Sequence, residues 1–161
     1  MSGPPEMIIH EYRKILIPHD GTEMSDQALM YAISLSLISK GDVIILSVIE
    51  EEFVPPSFLL AFLDEKGIEA SKQKLRDTFE ASIRQSLEGK IKLCKERGVQ
   101  DVSYLIKIGK PADSIIDTVN DINADIVIMA SSRISSSIKV LGSNTRKVVD
   151  NIRKPIMIIH E

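Results

Sequence analysis

The chain has no tryptophan, and its few Phe and Tyr residues bring aromatics to only 4% of 161 residues. That scarcity argues against a base-stacking platform for single-stranded nucleic acid. Cationic excess is also missing: 20 Lys and Arg stand against 23 Asp and Glu, for a formal net charge of −3. The basic residues are scattered rather than bunched, so no positive field is set up to hold nucleic acid or an anionic membrane. A single cysteine, Cys94, excludes an internal disulfide and fits a reducing, cytoplasmic compartment. It sits in a helical pattern and reads as an inert packing residue. No apolar run approaches the roughly 18–20 residues of a membrane span, and no leader-like apolar core follows Met1. Metal-ligand spacing, a Walker loop, a Gly-x-Ser-x-Gly elbow and a Gly-x-Gly-x-x-Gly after the first strand are all absent from the sequence.

What the chain does have is Ile and Val in five short runs: Ile15–Ile17, Val43–Ile49, Val102–Ile108, Ile126–Ala130 and Ile156–His160. Most are apolar on both faces, the pattern of strands buried on both sides. Helical patterns lie between them. The first runs from Glu23 to Lys40, with Gly41 as its stop. The second, from about Glu69 to Arg97, carries Leu75, Phe79, Ile83, Leu87, Ile91 and Cys94, and Gly98 ends it. The third opens on Pro111, and the fourth near Ser143, which reads as its cap. The segment from Glu50 to Lys66, with Pro55 and Pro56, reads as a loop with a short helical piece near 58–63. The order β-α-β-α-β-α-β-α-β predicts an α/β fold: a single doubly wound five-stranded parallel sheet with helices on both faces.

In such sheets ligands bind beyond the carboxyl ends of the strands, where the strand order reverses. The residues there carry a resemblance. Lys14-Ile15-Leu16-Ile17-Pro18-His19-Asp20-Gly21-Thr22 is similar to the opening strand and Pro-x-Asp-Gly-Ser/Thr turn of universal stress proteins. Ile108-Gly109-Lys110-Pro111-Ala112 resembles their Gly-x-Pro turn into the third helix. Ala124 to Ser131 resembles their fourth strand, and Leu141-Gly142-Ser143 with Lys154-Pro155-Ile156-Met157-Ile158-Ile159 their closing segment. The resemblance spans a domain over residues 12–161, with residues 1–11 as a short extension.

This resemblance implies a dimeric regulatory or stress-response protein whose cofactor is ATP, with magnesium, or another adenine nucleotide. Carried over by position, Pro18, Asp20 and Val48, with Met129 nearby, would meet the adenosine half. Gly142, Ser143, Asn144 and Thr145 would meet the phosphates at a helix N-terminus. Nucleotide-binding members carry Gly-x-x-Gly, nine residues, then Gly-Ser/Thr. Here Ala130 and Arg133 stand at the two glycine positions, and eight residues precede Gly142-Ser143. Two readings stay open. Either the phosphate loop is lost and the chain is a scaffold without nucleotide, or Arg133, Lys139 and the hydroxyls of Ser131, Ser132 and Ser135–Ser137, following Ala130, supply side-chain donors instead. Asp20 likewise reads as a ligand contact or as a cap of the following helix. Hydrolysis would require a base and a metal ligand beyond Asp20, which the sequence does not name. A non-enzymatic role is therefore the expectation, with a weak ATP hydrolase as the alternative. The apolar last strand, Ile156–His160, is expected to pair with a second copy, as in the family.

Overall fold

Each central strand carries Ile, Val or Leu at successive positions because each is covered twice. The structure, a computed structural model, describes residues 9–50, 61–62, 64–131 and 141–160. Along them run β1 (Lys14–Pro18), α1 (Glu23–Ser39), β2 (Asp42–Ile49), α2 (Glu65–Glu96), β3 (Val102–Ile108), α3 (Pro111–Ile122), β4 (Ile126–Ala130), α4 (Ser143–Asn151) and β5 (Ile156–Ile159). The strands form one sheet in the order β3-β2-β1-β4-β5, every pair parallel. This is the expected doubly wound α/β sheet, and its order reverses between β1 and β4.

Alternation along each strand divides the core. Ile15, Ile17, Val43, Ile45, Ile126 and Ile128 pack with Ala28, Leu29, Ala32 and Ile33 of α1 and with Leu87 and Cys94 of α2. The intervening Leu16, Leu46, Val127 and Met129 pack against Ala112, Ile115 and Val119 of α3 and Val148 of α4. One sheet face therefore belongs to α1 and α2, the other to α3 and α4. Burying each such aliphatic side chain contributes roughly 1.5–3 kcal/mol. Cys94 is fully buried, and burial pushes its thiol up to about 11, so it packs as a neutral group.

Boundaries differ from expectation at three helices. α1 ends at Ser39, and Lys40, not Gly41, adopts the left-handed cap at φ 60°. α2 begins four residues before Glu69, because Asp64 caps it by accepting from the Gly67 amide at 2.7 Å. Ser143 is the first residue of α4 rather than its cap. Gly142 is the cap, and among the described residues no side chain bonds the first-turn amides. The strand expected over Ile156–His160 ends at Ile159. Of the helical piece expected near 58–63, only 61 and 62 are described, and they form a turn. No helix among the described residues is long and apolar enough to cross a membrane.

Candidate functional site

The strand-order reversal opens a cleft of about 1020 Å³ beyond the carboxyl ends of β1, β2 and β4. That volume suits a nucleotide-sized ligand. On one side the cleft meets the turn after β1. There Asp20 Oδ1 accepts from the Thr22 amide at 3.0 Å, Thr22 Oγ1 at 2.6 Å and Ser25 Oγ at 2.5 Å. Burial opposes the charge on Asp20, but the bonds from Ser25 and Thr22 outweigh it and hold the carboxyl below its ordinary value. Thr22, not Asp20, is the N-cap of α1, accepting from the Ser25 amide. One oxygen of Asp20 thus organises the turn; its Oδ2 has no partner among the described residues. Gly21 closes the turn at φ 85°, a conformation that L side chains adopt at a cost.

His19 lies beneath this turn and is buried. Its Nδ1 accepts from the Gly21 amide at 3.1 Å, and its Nε2 lies 2.9 Å from Asp26 Oδ1. Both contacts are met when the proton sits on Nε2. Burial lowers the His19 pKa below 6.5, and the Asp26 hydrogen bond offsets this only in part. The same Asp26 oxygen accepts from Lys90 Nζ at 2.6 Å. Burial works against the Asp26 charge, and its bonds with Lys90 and His19 prevail, placing the carboxyl below its usual range. His19 is therefore a neutral, fully engaged group that ties the turn to α1 and, through Asp26, to α2.

Across the cleft stands the N-terminus of α4. With Gly142 as cap, its first-turn amides have no side-chain partner among the described residues, and no acidic side chain lies in that turn. The structure brings Pro18, Asp20, Val48, Met129, Ala130, Gly142, Ser143, Asn144 and Thr145 to the cleft wall. It does not bring Ser131 there: that residue is buried, and its amide donates to Ile159 O at 3.0 Å. Arg133, Lys139 and the serines at 132 and 135–137 lie outside the described residues.

Sequence reasoning missed the α2 wall. Phe79, Ser82, Ile83, Ser86, Leu87 and Lys90 line the cleft from that helix. The signal was available: Ser82, Ser86 and Lys90 recur every four residues, a polar edge beside the apolar stripe. Among the described residues no group of three or more His, Cys, Asp or Glu is placed to hold a metal ion.

Comparisons with known proteins agree with this fold. The model of the universal stress protein family matches residues 11–160. The chain is similar to universal stress protein MJ0577 of Methanocaldococcus jannaschii, 25% identical over 154 residues that cover 92% of this chain and 94% of that one. It is likewise similar to universal stress protein YxiE of Bacillus subtilis, 28% identical over 92% of this chain and 99% of that one. Against a solved structure of MJ0577 the TM-score is 0.76 at 26% identity, over 94% of this chain and 98% of the other. The fold is shared with a universal stress protein solved in complex with cAMP, at TM-score 0.65 and 18% identity over 94% and 98% of the two chains. It is shared too with one from Archaeoglobus fulgidus in complex with dAMP, at TM-score 0.60 and 15% identity over 93% and 99%. The chain belongs to the universal stress protein family.

Proposed function

We propose that this chain is a dimeric regulatory protein that binds an adenine nucleotide, ATP or a shorter relative, in the cleft at the β1/β4 reversal. The observation that carries this reading is the opposition of Asp20, across one cleft, to the N-terminus of α4, whose cap Gly142 supplies no side-chain bond. Asp20 Oδ2 would accept from a ribose hydroxyl. Val48, Ile115 and Met129 offer apolar surface to the base. The amides of Ser143, Asn144 and Thr145 would donate to phosphate oxygens, favoured by the helix dipole. Two fold relatives hold cAMP and dAMP, ligands of the same class. Magnesium would arrive on the nucleotide's own phosphates, since the described residues hold no metal cluster.

Calorimetry and thermal shift with ATP, ADP and AMP, with and without magnesium, test this directly. Saturable binding is expected, and Asp20→Asn should weaken it about tenfold at little cost in Tm, because the amide keeps an acceptor for the turn. Absence of any effect at millimolar nucleotide would leave a scaffold that binds none. Steady ATP turnover lost in Asp20→Asn would instead make the protein a hydrolase.

The dimer rests on β5. Among the described residues it is a sheet edge bonded only to β4, and its Met157 is 37% exposed. Val127 N donates to Pro155 O and Ser131 N to Ile159 O, so odd-numbered residues of this stretch face β4. The amides of Ile156 and Ile158 therefore point outward, open to a second copy. Ile158→Pro removes an outward donor without breaking an internal bond. Sedimentation should show a dimer for the parent and a folded monomer for the variant; an unchanged dimer would place the contact elsewhere.

A further inference from the structure

The cleft is wider than the nucleotide reading uses. Ser47 and Val48 are neighbours on β2, so their side chains leave opposite faces of the sheet, yet both line it. Val48 belongs with the α3/α4 layer; Ser47 follows Val43 and Ile45 on the α1/α2 side. The cavity thus wraps around the end of the sheet into a second lobe beneath α2. The polar residues that line the cleft on this side include Ser47, Ser82, Ser86 and Lys90. Positions four apart on a helix place their Cβ atoms about 6 Å from each other, so the last three form one continuous row.

The hydroxyls of Ser47, Ser82 and Ser86 make no hydrogen bond to any other described residue. Neither serine of α2 bonds back to its own helix, as Ser34 and Thr78 do in this chain. Lys90 is 17% exposed in its side chain and gives one of its three ammonium protons to Asp26. The other two have no partner among the described residues. Neighbouring His19 is held neutral and Asp26 is already shared, so Lys90 and three hydroxyls are the donors on this side, with Asp20 and Glu50 the carboxylates that also line the cleft. That donor set fits a phosphate.

We propose that this lobe is a second anion subsite, and that the site takes an adenosine carrying two phosphates set apart, one at the N-terminus of α4 and one at Lys90. The inference rests on the adenine-nucleotide reading. In that pose the ribose hydroxyls lie at Asp20, between the lobes, so a 2′- or 3′-phosphate heads toward α2 while a 5′-phosphate heads toward α4.

Adenosine 2′,5′- and 3′,5′-bisphosphate and ADP carry the same adenosine and two phosphates, differently placed, and AMP serves as the reference. Calorimetry should show at least one bisphosphate binding about tenfold tighter than ADP. Lys90→Gln should abolish that preference while AMP still binds, which also reports an intact fold; Lys90→Arg should retain it. Equal affinities for ADP and both bisphosphates would overturn the proposal while AMP binding upholds the parent reading. A preference that survives Lys90→Gln would overturn it too. Failure of AMP, ADP and ATP alike to bind would remove both readings together.

Discussion

Gly41→Ala is expected to destabilise the fold by on the order of 3 kcal/mol, lowering Tm by about 6–12 °C. A Cβ at Gly41 would lie 2.0 Å from the carbonyl oxygen of Tyr12 and 3.1 Å from Ser39 Oγ. The first neighbour is backbone and is pinned. Arg13 O, one residue on, accepts from the Asp42 amide at 2.7 Å. Gly41 itself is held at both ends, its O accepting from Ser36 Oγ at 2.6 Å and its N donating to Ser39 Oγ at 3.2 Å. Relief therefore requires shifting the entry of β2 against β1. Gly89 is the control, for an added Cβ there meets nothing within 4 Å. Gly89→Ala, inside α2, should stabilise by roughly 0.5–1 kcal/mol. Urea melts of both variants decide the matter; a Gly41→Ala protein within 0.5 kcal/mol of its parent would show that the strand entry yields freely.

Asp26→Ala is expected to cost about 2 kcal/mol and to change the response to acid. It leaves Lys90 without its carboxylate and the buried His19 without an acceptor at Nε2. The figure sits below that for a fully buried pair because the Asp26 side chain is 47% exposed. In the parent, His19 is depressed below 6.5 by burial. The unfolded chain binds the His19 proton more readily, so this contribution is complete above pH 6.5 and is lost as pH falls through the folded value. Asp20 and Asp26 are also depressed, against an ordinary value of 3.8. Their contribution is full above that value and fades below it. Stability should thus decline in two stages on acidification, the first from His19 and the second from the carboxylates. Removing Asp26 takes away the bond that raises the His19 pKa, so NMR titration should find it lower still in the variant. A His19 that titrates at 6.5 or above in the parent would contradict the buried, doubly engaged ring.

Strands and fold class were legible in the sequence because strands buried on both faces leave unbroken Ile and Val runs. All five emerged within a residue of their observed bounds. Helix ends were less so. The start of α2 was hidden by Gly67 and by a polar first turn, while the cap, Asp64, lay in a segment that reads as loop. Ser143 looked like a cap from residue type alone, yet the backbone gives that place to Gly142, which is what leaves the α4 amides open. The positions around Pro18 and Gly142, which the structure brings to the cleft, were marked in the sequence by strand ends, turn chemistry and the family resemblance. The α2 wall was not, because which face of a long helix meets a cleft depends on how the helix crosses the sheet. His19 illustrates the same limit. Its burial and its two partners come from α1 and from the turn, and no local pattern announces them.

The sheet order has a consequence for how the chain is born. β1 pairs with β2, some thirty residues on, and with β4, more than a hundred residues on. Asp125 Oδ2 closes that second seam, accepting from the amides of Arg13 and Lys14 at sequence separations of 112 and 111. At ribosomal speeds this separation is on the order of 10 s of synthesis. For that interval a strand whose middle residues Ile15, Leu16 and Ile17 end fully buried has a sticky open side, which makes the emerging polypeptide a natural client for a holding chaperone until β4 arrives.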